Sequence, residues 1–146
     1  MAPLHPAGQG AVTLLRVSGP ATLFLLNELT QKHQEKDPKA PPPRLAQLKP
    51  LWDGELLLDR ALVTWFPGPG SYTGEDSAEF GLHASPYVVN RFLALCTALP
   101  GVRMAEPGEF TWRAFANGQM DLSRAEAVAD LIAAENPMAH RLAMNQ

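Results

Sequence analysis

The spacing of apolar residues changes several times along the chain and predicts an alternation of strands and helices. Strands are expected where Val, Leu and Thr run together, and helices where apolar residues recur every three or four positions. The expected strands are Ala11–Ser18, Leu45–Trp52, Leu56–Phe66, Ala78–His83 and Val102–Ala105. Asp53 and Gly54, between the second and third strands, form a typical hairpin signal.

The first two helices follow proline-containing starts at Gly19-Pro20 and Ser85-Pro86. Leu23, Leu26 and Leu29 are expected to form the apolar face of the first, with Phe24 between them. The second carries an apolar face of its own: Val88, Val89, Phe92, Leu93, Cys96 and Leu99. The proline-rich segment Gln31–Arg44 is interpreted as an exposed connection, with a PxxP-type recognition role as the alternative.

The C-terminal third predicts further helices. One is expected over Gly108–Asn117, ended by a left-handed residue at Gly118. Ser123 and Glu126 have the spacing of a capping box, which makes Ser123 the expected N-cap of a helix to Glu135. Another helix is expected to begin at Asn136-Pro137.

This element order predicts an α+β (mixed α/β) fold, with a mixed sheet flanked by helices. We expect one domain over residues 1–121 and the start of a helical domain over residues 122–146. The last expected helix has no stop signal, so the chain is interpreted as the front part of something longer.

Composition narrows the class of protein. The chain has 146 residues, 46% of them hydrophobic and 18% charged, which is typical of a globular domain. A net charge of −3 gives no sign of a broad nucleic-acid-binding face. The one cysteine, Cys96, fits a reducing compartment, and no signal peptide or apolar run long enough for a membrane span is visible. We expect a cytoplasmic protein.

Several catalytic signatures are missing from the sequence. A phosphate-binding loop of the form GxxxxGKS or GxxxxGKT does not occur, and Gly68–Gly74 has no lysine and leads into a strand. The four histidines are scattered, and no cluster has the spacing of a metal site. No catalytic residue and no metal ligand is therefore assigned, and whether the chain belongs to an enzyme stays open at this point.

The best candidate site is the glycine-containing loop Ser71–Asp76, followed by Glu79. Glu75, Asp76 and Glu79 concentrate negative charge beside a strand. A carboxylate can accept the adjacent N–H and amino groups of a pterin ring in a fork, which is a strong and directional pattern. The alternative is a solvated acidic turn.

Three ordered blocks of the sequence resemble one known family. They are Gly10–Gly19, Phe66–Asp76 with Glu79, and residues 105–133. The last block resembles the signature PGEFTxRAFxNGKxDLxxAEAxxDLI of the N-terminal domain of the MnmE (TrmE) tRNA-modification GTPases. The resemblance covers nearly the whole chain.

The resemblance implies a fold similar to the folate-binding domains of the glycine-cleavage T-protein kind. It implies binding of a tetrahydrofolate derivative, 5-formyl- or 5,10-methylene-tetrahydrofolate, and homodimerisation. The family's folate contacts fall on Arg16, on Glu79 and, where the family has lysine, on Gln119. The family modifies the wobble uridine of certain tRNAs with a flavin-dependent partner protein. GTP, magnesium and potassium would enter only through domains outside this segment.

The sequence departs from the family pattern at three places, and the first two favour a second hypothesis. Gln119 replaces the lysine, Ala84-Ser85 replaces a Gly-Gly pair, and Gly8-Gln9-Gly10 replaces Gly-Arg-Gly. The alternative is a non-catalytic dimerisation or interaction module that derives from the same fold.

Glu109 is interpreted as structural, at the start of its helix. Three aromatic residues are interpreted as packing or partner contacts: Phe110, Trp112 and Phe115.

Overall fold

Four strands and four helices occur in residues 11–31 and 39–135, the part of the chain that the computed structural model describes. They are β1 (Val12–Ser18), α1 (Thr22–Thr30), β2 (Gln47–Asp53), β3 (Leu56–Phe66), β4 (Ser77–His83), α2 (Pro86–Thr97), α3 (Glu109–Ala116) and α4 (Leu122–Glu135). The helix expected from Asn136-Pro137 lies outside the described residues. The predicted α+β class is confirmed.

The strands form one sheet in the order β1-β4-β3-β2, and all three ladders are antiparallel. The hairpin between β2 and β3 turns at Gly54, whose φ of 61° suits glycine. An isolated bridge between Pro43 and Trp65 is parallel. A mixed sheet was expected. Within the described ranges, this bridge is the only parallel pairing.

One face of the sheet carries the core, because α1 and α2 pack on it. Phe80 of β4 and Phe92 of α2 are buried with their ring centroids 5.0 Å apart. The buried face of α1 differs from the prediction: Leu25 is buried, Leu23 is only half-buried and Phe24 is exposed. Thr22, at the start of the helix, is also buried, and its hydroxyl donates to the carbonyl of Gly19.

The opposite face of the sheet is largely open. Successive side chains of a strand point to opposite faces, so the register places Leu14, Gly81, Leu62 and Leu48 side by side across the four strands. Val12 adjoins this line, and its side chain packs beside Gly81, at 3.1 Å from where a Cβ on that glycine would lie. We call the four apolar side chains the outer row: Val12, Leu14, Leu48 and Leu62. Each of them is at least 50% exposed.

The strand predicted at Val102–Ala105 is wrong. These residues form no ladder, and a cavity lies between them and β1, the edge strand of the sheet. Residues with β propensity form a strand only where a neighbouring strand offers backbone hydrogen bonds. Here the cavity separates these residues from β1, the nearest edge strand.

The predicted N-cap of α4 is also wrong. The helix begins one residue before Ser123, and the Asp121 carboxylate accepts a hydrogen bond from the backbone N–H of Arg124 at 2.8 Å. Asp121 therefore occupies the N-cap position that Ser123 was expected to hold.

The domain boundary expected between residues 121 and 122 stays a prediction. None of the described helices is long and apolar enough to cross a membrane.

Candidate functional site

The loop Ser71–Asp76 closes one end of the outer sheet face and lies between the end of β1 and α3. Thr73, at its centre, is buried, and its hydroxyl lies 2.6 Å from that of Ser18 and 3.3 Å from that of Ser77. The Thr73 carbonyl accepts a hydrogen bond from Asn117 at 2.9 Å. The loop is therefore an ordered part of the fold rather than a free acidic turn.

Arg16 and Glu79 form an ion pair at this end of the face. They are register partners on β1 and β4, and Arg16 Nε donates to Glu79 Oε2 at 2.7 Å. The guanidinium also lies 5.8 Å from the centre of the Tyr72 ring, which is within cation–π range. No described residue donates a hydrogen bond to Glu79 Oε1. The carboxylate therefore keeps acceptor capacity for a ligand.

A small cavity of about 120 Å³ is walled by this ion pair and by three aromatic residues, Phe66, Tyr72 and Phe110. The remaining lining residues are Val17, Ser18, Thr73, Ser77 and Ala78. Aromatic walls with one carboxylate suit a flat heterocycle that stacks on its faces and donates hydrogen bonds from its edge.

A larger cavity of about 600 Å³ adjoins the small one and runs between β1 and the segment at residues 101–105. The two cavities share Arg16, Val17, Ser18 and Phe110. Arg103 and Arg113 also line the larger cavity. A ligand with a flat head and an anionic tail could therefore span both cavities, with guanidinium groups near the tail.

No role for Arg113 was predicted from the sequence. Its guanidinium donates to Glu75 at 3.1 Å and to Glu109 at 2.6 and 3.0 Å. The pKa of Arg113 is raised, first by the hydrogen bond to Glu75 and then by Glu109. The pair with Glu109, four positions earlier in α3, was visible in the sequence. The pair with Glu75 was not, because it joins residues 38 positions apart.

Glu109 accepts from a second arginine as well. Arg103 binds both of its carboxylate oxygens, at 2.8 and 2.7 Å, and the Glu106 backbone N–H adds a further hydrogen bond. These donors, Arg103 first, lower the pKa of Glu109 to about 2. The contacts support the structural role expected for Glu109.

The three predicted folate contacts do not lie together. Arg16 and Glu79 share the wall of the small cavity, whereas Gln119 lines neither cavity. Its side chain instead packs beside Gly74, at 3.1 Å from where a Cβ on that glycine would stand. Gly74 has a φ of +81°, so a side chain there would be both strained and crowded.

The departure at Ala84-Ser85 has a structural explanation. Ser85 is the N-cap of α2, and its hydroxyl accepts from the Val88 backbone N–H at 3.4 Å. The preceding His83 is held by Asp59, which accepts from the His83 backbone N–H at 2.9 Å and contacts ring Nδ1 at 2.6 Å. This turn lies at the end of β4 opposite to the candidate site.

Two other chemistries find no support in the described residues. Cys96 is buried in the core, and burial raises the pKa of its thiol to about 12, so it is a poor nucleophile at neutral pH. Within residues 11–31 and 39–135, no group of three or more metal-ligating side chains comes together.

Comparison with known proteins identifies the family. Residues 1–119 match the sequence profile of the family described as GTP-binding protein TrmE N-terminus. The chain belongs to this TrmE N-terminal family. It is 48% identical over 145 residues to the tRNA modification GTPase MnmE of Gluconacetobacter diazotrophicus, an alignment that covers 96% of this chain and 32% of that protein.

Other relatives of this TrmE N-terminal chain show the same partial coverage. The MnmE of Christiangramia forsetii is 44% identical over 97% of this chain and 30% of its own length. A Danio rerio protein, named as the mitochondrial subunit GTPB3 of a 5-taurinomethyluridine tRNA synthase, is 46% identical over 96% of this chain and 27% of its own length. The chain thus spans about a third of the length of the curated relatives it matches.

Proposed function

We propose that this domain binds a tetrahydrofolate derivative, 5-formyl- or 5,10-methylene-tetrahydrofolate, in the two adjoining cavities. One observation carries the proposal: the Glu79 carboxylate, oriented by Arg16, lies on the wall of a small aromatic-lined cavity. The pterin head would stack among Phe66, Tyr72 and Phe110 and donate its N–H and amino groups to Glu79.

The residues present fit this group. The small cavity offers an acceptor for the pterin edge, and the larger cavity offers apolar surface for the arylamide and guanidinium groups for the tail carboxylates. When bound, the folate would supply the one-carbon unit. The chain's own residues would bind it, orient it and shield it from water. The third predicted contact, Gln119, packs beside Gly74 outside both cavities and would reach the folate only at its tail.

The proposal is tested by calorimetric titration of the 146-residue chain with 5-formyltetrahydrofolate. Glu79→Gln keeps the shape of the side chain and removes its charge. The matched control is Glu55→Gln, in the exposed β2–β3 turn at the opposite end of β3. We expect binding by the parent chain and by Glu55→Gln, and a clear loss with Glu79→Gln. Absence of binding by the parent chain would contradict the proposal.

We further propose that the domain forms homodimers through the outer row. The four side chains form a continuous apolar line across a sheet face that no described helix covers. A two-fold axis would place the same row of a second copy against it, as in other isologous interfaces. The Arg16–Glu79 pair occupies the next outward-facing position after Leu14 and Gly81 on β1 and β4, so the interface would border the candidate site.

The wider role follows from the relatives. We propose that the domain works within a tRNA wobble-uridine modification GTPase, with tRNA and a flavin-dependent partner, and that GTP, magnesium and potassium bind to other domains of that protein. The cytoplasm is the proposed location, with mitochondria as the alternative that the name of the Danio rerio relative raises.

The second candidate function is a dimerisation module without folate binding. The placement of Gln119 against Gly74, away from both cavities, favours it. Such a module would dimerise through the outer row and fail to bind 5-formyltetrahydrofolate in the titration above. The two candidates therefore share one prediction and differ in the other.

A further inference from the structure

The loop Ser71–Asp76 is held to α3 and to Asn117, which follows it, by contacts from three loop residues. The Tyr72 hydroxyl lies 3.0 Å from that of Thr111, and the Thr73 carbonyl accepts from the Asn117 side chain. Glu75 accepts from Arg113. Two of these contacts are between neutral groups, whereas the last is an ion pair between partly buried side chains, about 30% exposed on each side. Charge-assisted contacts of this kind are roughly twice as strong as neutral hydrogen bonds.

Arg113 joins three elements at this point. Besides Glu75 on the loop and Glu109 at the start of α3, its guanidinium contacts the carbonyl of Ser18 at the end of β1 at 3.4 Å. Glu75 in turn accepts from the Ser18 hydroxyl at 3.0 Å. The guanidinium therefore lies between two carboxylates that would repel each other without it.

These contacts reach the wall of the small cavity without touching a bound ring. Tyr72 and Thr73 of the loop line that cavity, as does Ser18, whereas Arg113 and Glu75 do not. Displacement of the loop would move the Tyr72 ring away from Arg16 and open one side of the cavity. Arg113 lines the larger cavity but not the small one, so it is placed to control the shape of the small cavity from outside that cavity.

We propose that Arg113 is a positioning residue that holds the Ser71–Asp76 loop, through Glu75, in the shape that binds the pterin head. The proposal rests on the proposed folate function for its binding test, but not for its structural test. The charged groups around Arg113 are Glu75 on the loop, Glu109 on α3, and Arg103, which shares Glu109. All of these ion pairs stay intact in the control variant, Arg91→Gln.

The binding test titrates 5-formyltetrahydrofolate into the parent chain, Arg113→Gln, Arg113→Lys and the control Arg91→Gln. Arg91 forms a bidentate ion pair with Asp53, at 2.6 and 2.9 Å, and lines neither cavity. We expect about a tenfold loss of affinity for Arg113→Gln, partial rescue to about a threefold loss for Arg113→Lys, and no change for Arg91→Gln.

A double variant tests the route through Glu75. If Arg113 acts on the loop by holding Glu75, then Arg113→Gln with Glu75→Gln binds no more weakly than Arg113→Gln alone, because the shared contact is already lost. Additive losses in the double variant would overturn this route.

The structural test needs no ligand. Amide hydrogen exchange of residues 71–76 should become faster in Arg113→Gln than in the parent chain, while exchange in the centre of β3 and β4 stays unchanged. In Arg91→Gln, exchange of residues 71–76 should stay unchanged. Weaker binding without faster loop exchange would contradict positioning and indicate direct contact with the ligand. Unchanged exchange together with unchanged binding would overturn the proposal.

The two proposals can fail separately. If the parent chain binds no 5-formyltetrahydrofolate, the proposed function fails, and loop exchange alone then decides whether Arg113 holds the loop. If Arg113→Gln does not fold, Arg113→Lys and Glu75→Gln carry the same comparison, because each keeps one member of the pair.

Discussion

The two ends of the outer sheet face contrast in how their side chains are satisfied. At the end near Ser71–Asp76, charged and hydroxyl groups bind one another: Arg16 with Glu79, Arg113 with Glu75, and Ser18 with Thr73. Along the outer row, apolar side chains are at least 50% exposed and no described residue covers them. In the first region the polar side chains are paired with one another, and Glu79 Oε1 stays available to a ligand. In the second region the apolar side chains are exposed.

The two regions therefore suit different kinds of partner. A prearranged polar end with small adjoining cavities suits a small ligand, because its groups are already oriented before binding. An apolar line across a flat sheet suits another protein surface, because burial of apolar area drives association without needing directed groups. The comparison can be broken by changing either region alone.

The largest effect is expected at the outer row. Leu62→Asp places a charge in the centre of the proposed interface, and loss of a central contact worth about 2 kcal/mol weakens association by about thirtyfold. Leu62 is half exposed in the monomer, so the fold should persist. Light scattering at graded chain concentrations measures the change.

The control is Leu131→Asp on α4, at a position 63% exposed and away from the sheet. It should leave association unchanged. A parent chain that stays monomeric up to roughly 50 μM, above the micromolar range of specific interfaces, would refute the dimer.

The next effect separates two carboxylates at the polar end. Glu79→Gln should weaken binding of 5-formyltetrahydrofolate about tenfold or more, because a charge-assisted hydrogen bond is worth roughly 1.5–3 kcal/mol. Glu75→Gln should have a smaller effect, about threefold, because the amide oxygen of the variant can still accept a hydrogen bond from Arg113. Titration of both variants under identical conditions makes the comparison. Equal losses would mean that Glu79 does not contact the pterin.

A third effect concerns stability and pH. The pKa of Glu109 falls from an ordinary value of 4.5 to about 2 in the folded chain. The native state therefore binds this proton less readily than the unfolded chain, and the stabilisation is complete above 4.5 and is lost as pH falls toward 2. Glu109→Gln should lower the urea midpoint at pH 7, and the difference from the parent chain should shrink at pH 3.

Glu55→Gln again serves as the matched control, since Glu55 lies on an exposed turn. A midpoint difference for Glu109→Gln that stays constant from pH 7 to pH 3 would show that the arginine pairs do not carry this stabilisation.

The smallest effect is expected at Gln119. Gln119→Lys restores the charge that the family has, and a partly exposed ionic contact to the folate tail is worth about 0.5–1 kcal/mol. Because the side chain packs beside Gly74, we expect a gain near the lower figure, about twofold, that falls as salt rises. Titration at two salt concentrations tests it. An unchanged affinity would show that position 119 does not face the ligand.

The fold was largely predictable because its signals are local. The Asp53-Gly54 turn, the proline start of α2 after Ser85, and the φ of 75° at Gly118 each follow from a residue's own backbone preference. The wrong predictions concern residues whose conformation depends on neighbouring parts of the fold. Val102–Ala105 has strand propensity but no available edge, and Asp121 competes with Ser123 for the same N-cap.

The candidate site was predictable only in part. Arg16 and Glu79 were named through the family resemblance, and the β1–β4 register brings them together. Arg113 was not found, because no periodicity or spacing reveals an ion pair between a loop and a helix far apart in sequence. Gln119 was assigned by its alignment with a lysine, which says nothing about where the side chain points.

The central claim is that the aromatic-lined cavity beside Glu79 holds the pterin head of a reduced folate. A crystal structure of the chain with 5-formyltetrahydrofolate tests it most directly. The pterin ring should lie between Phe66 and Tyr72, with its amino group and ring N–H within hydrogen-bonding distance of the Glu79 carboxylate. A folate bound with its pterin head elsewhere, and with the Arg16–Glu79 pair undisturbed and uncontacted, would contradict it.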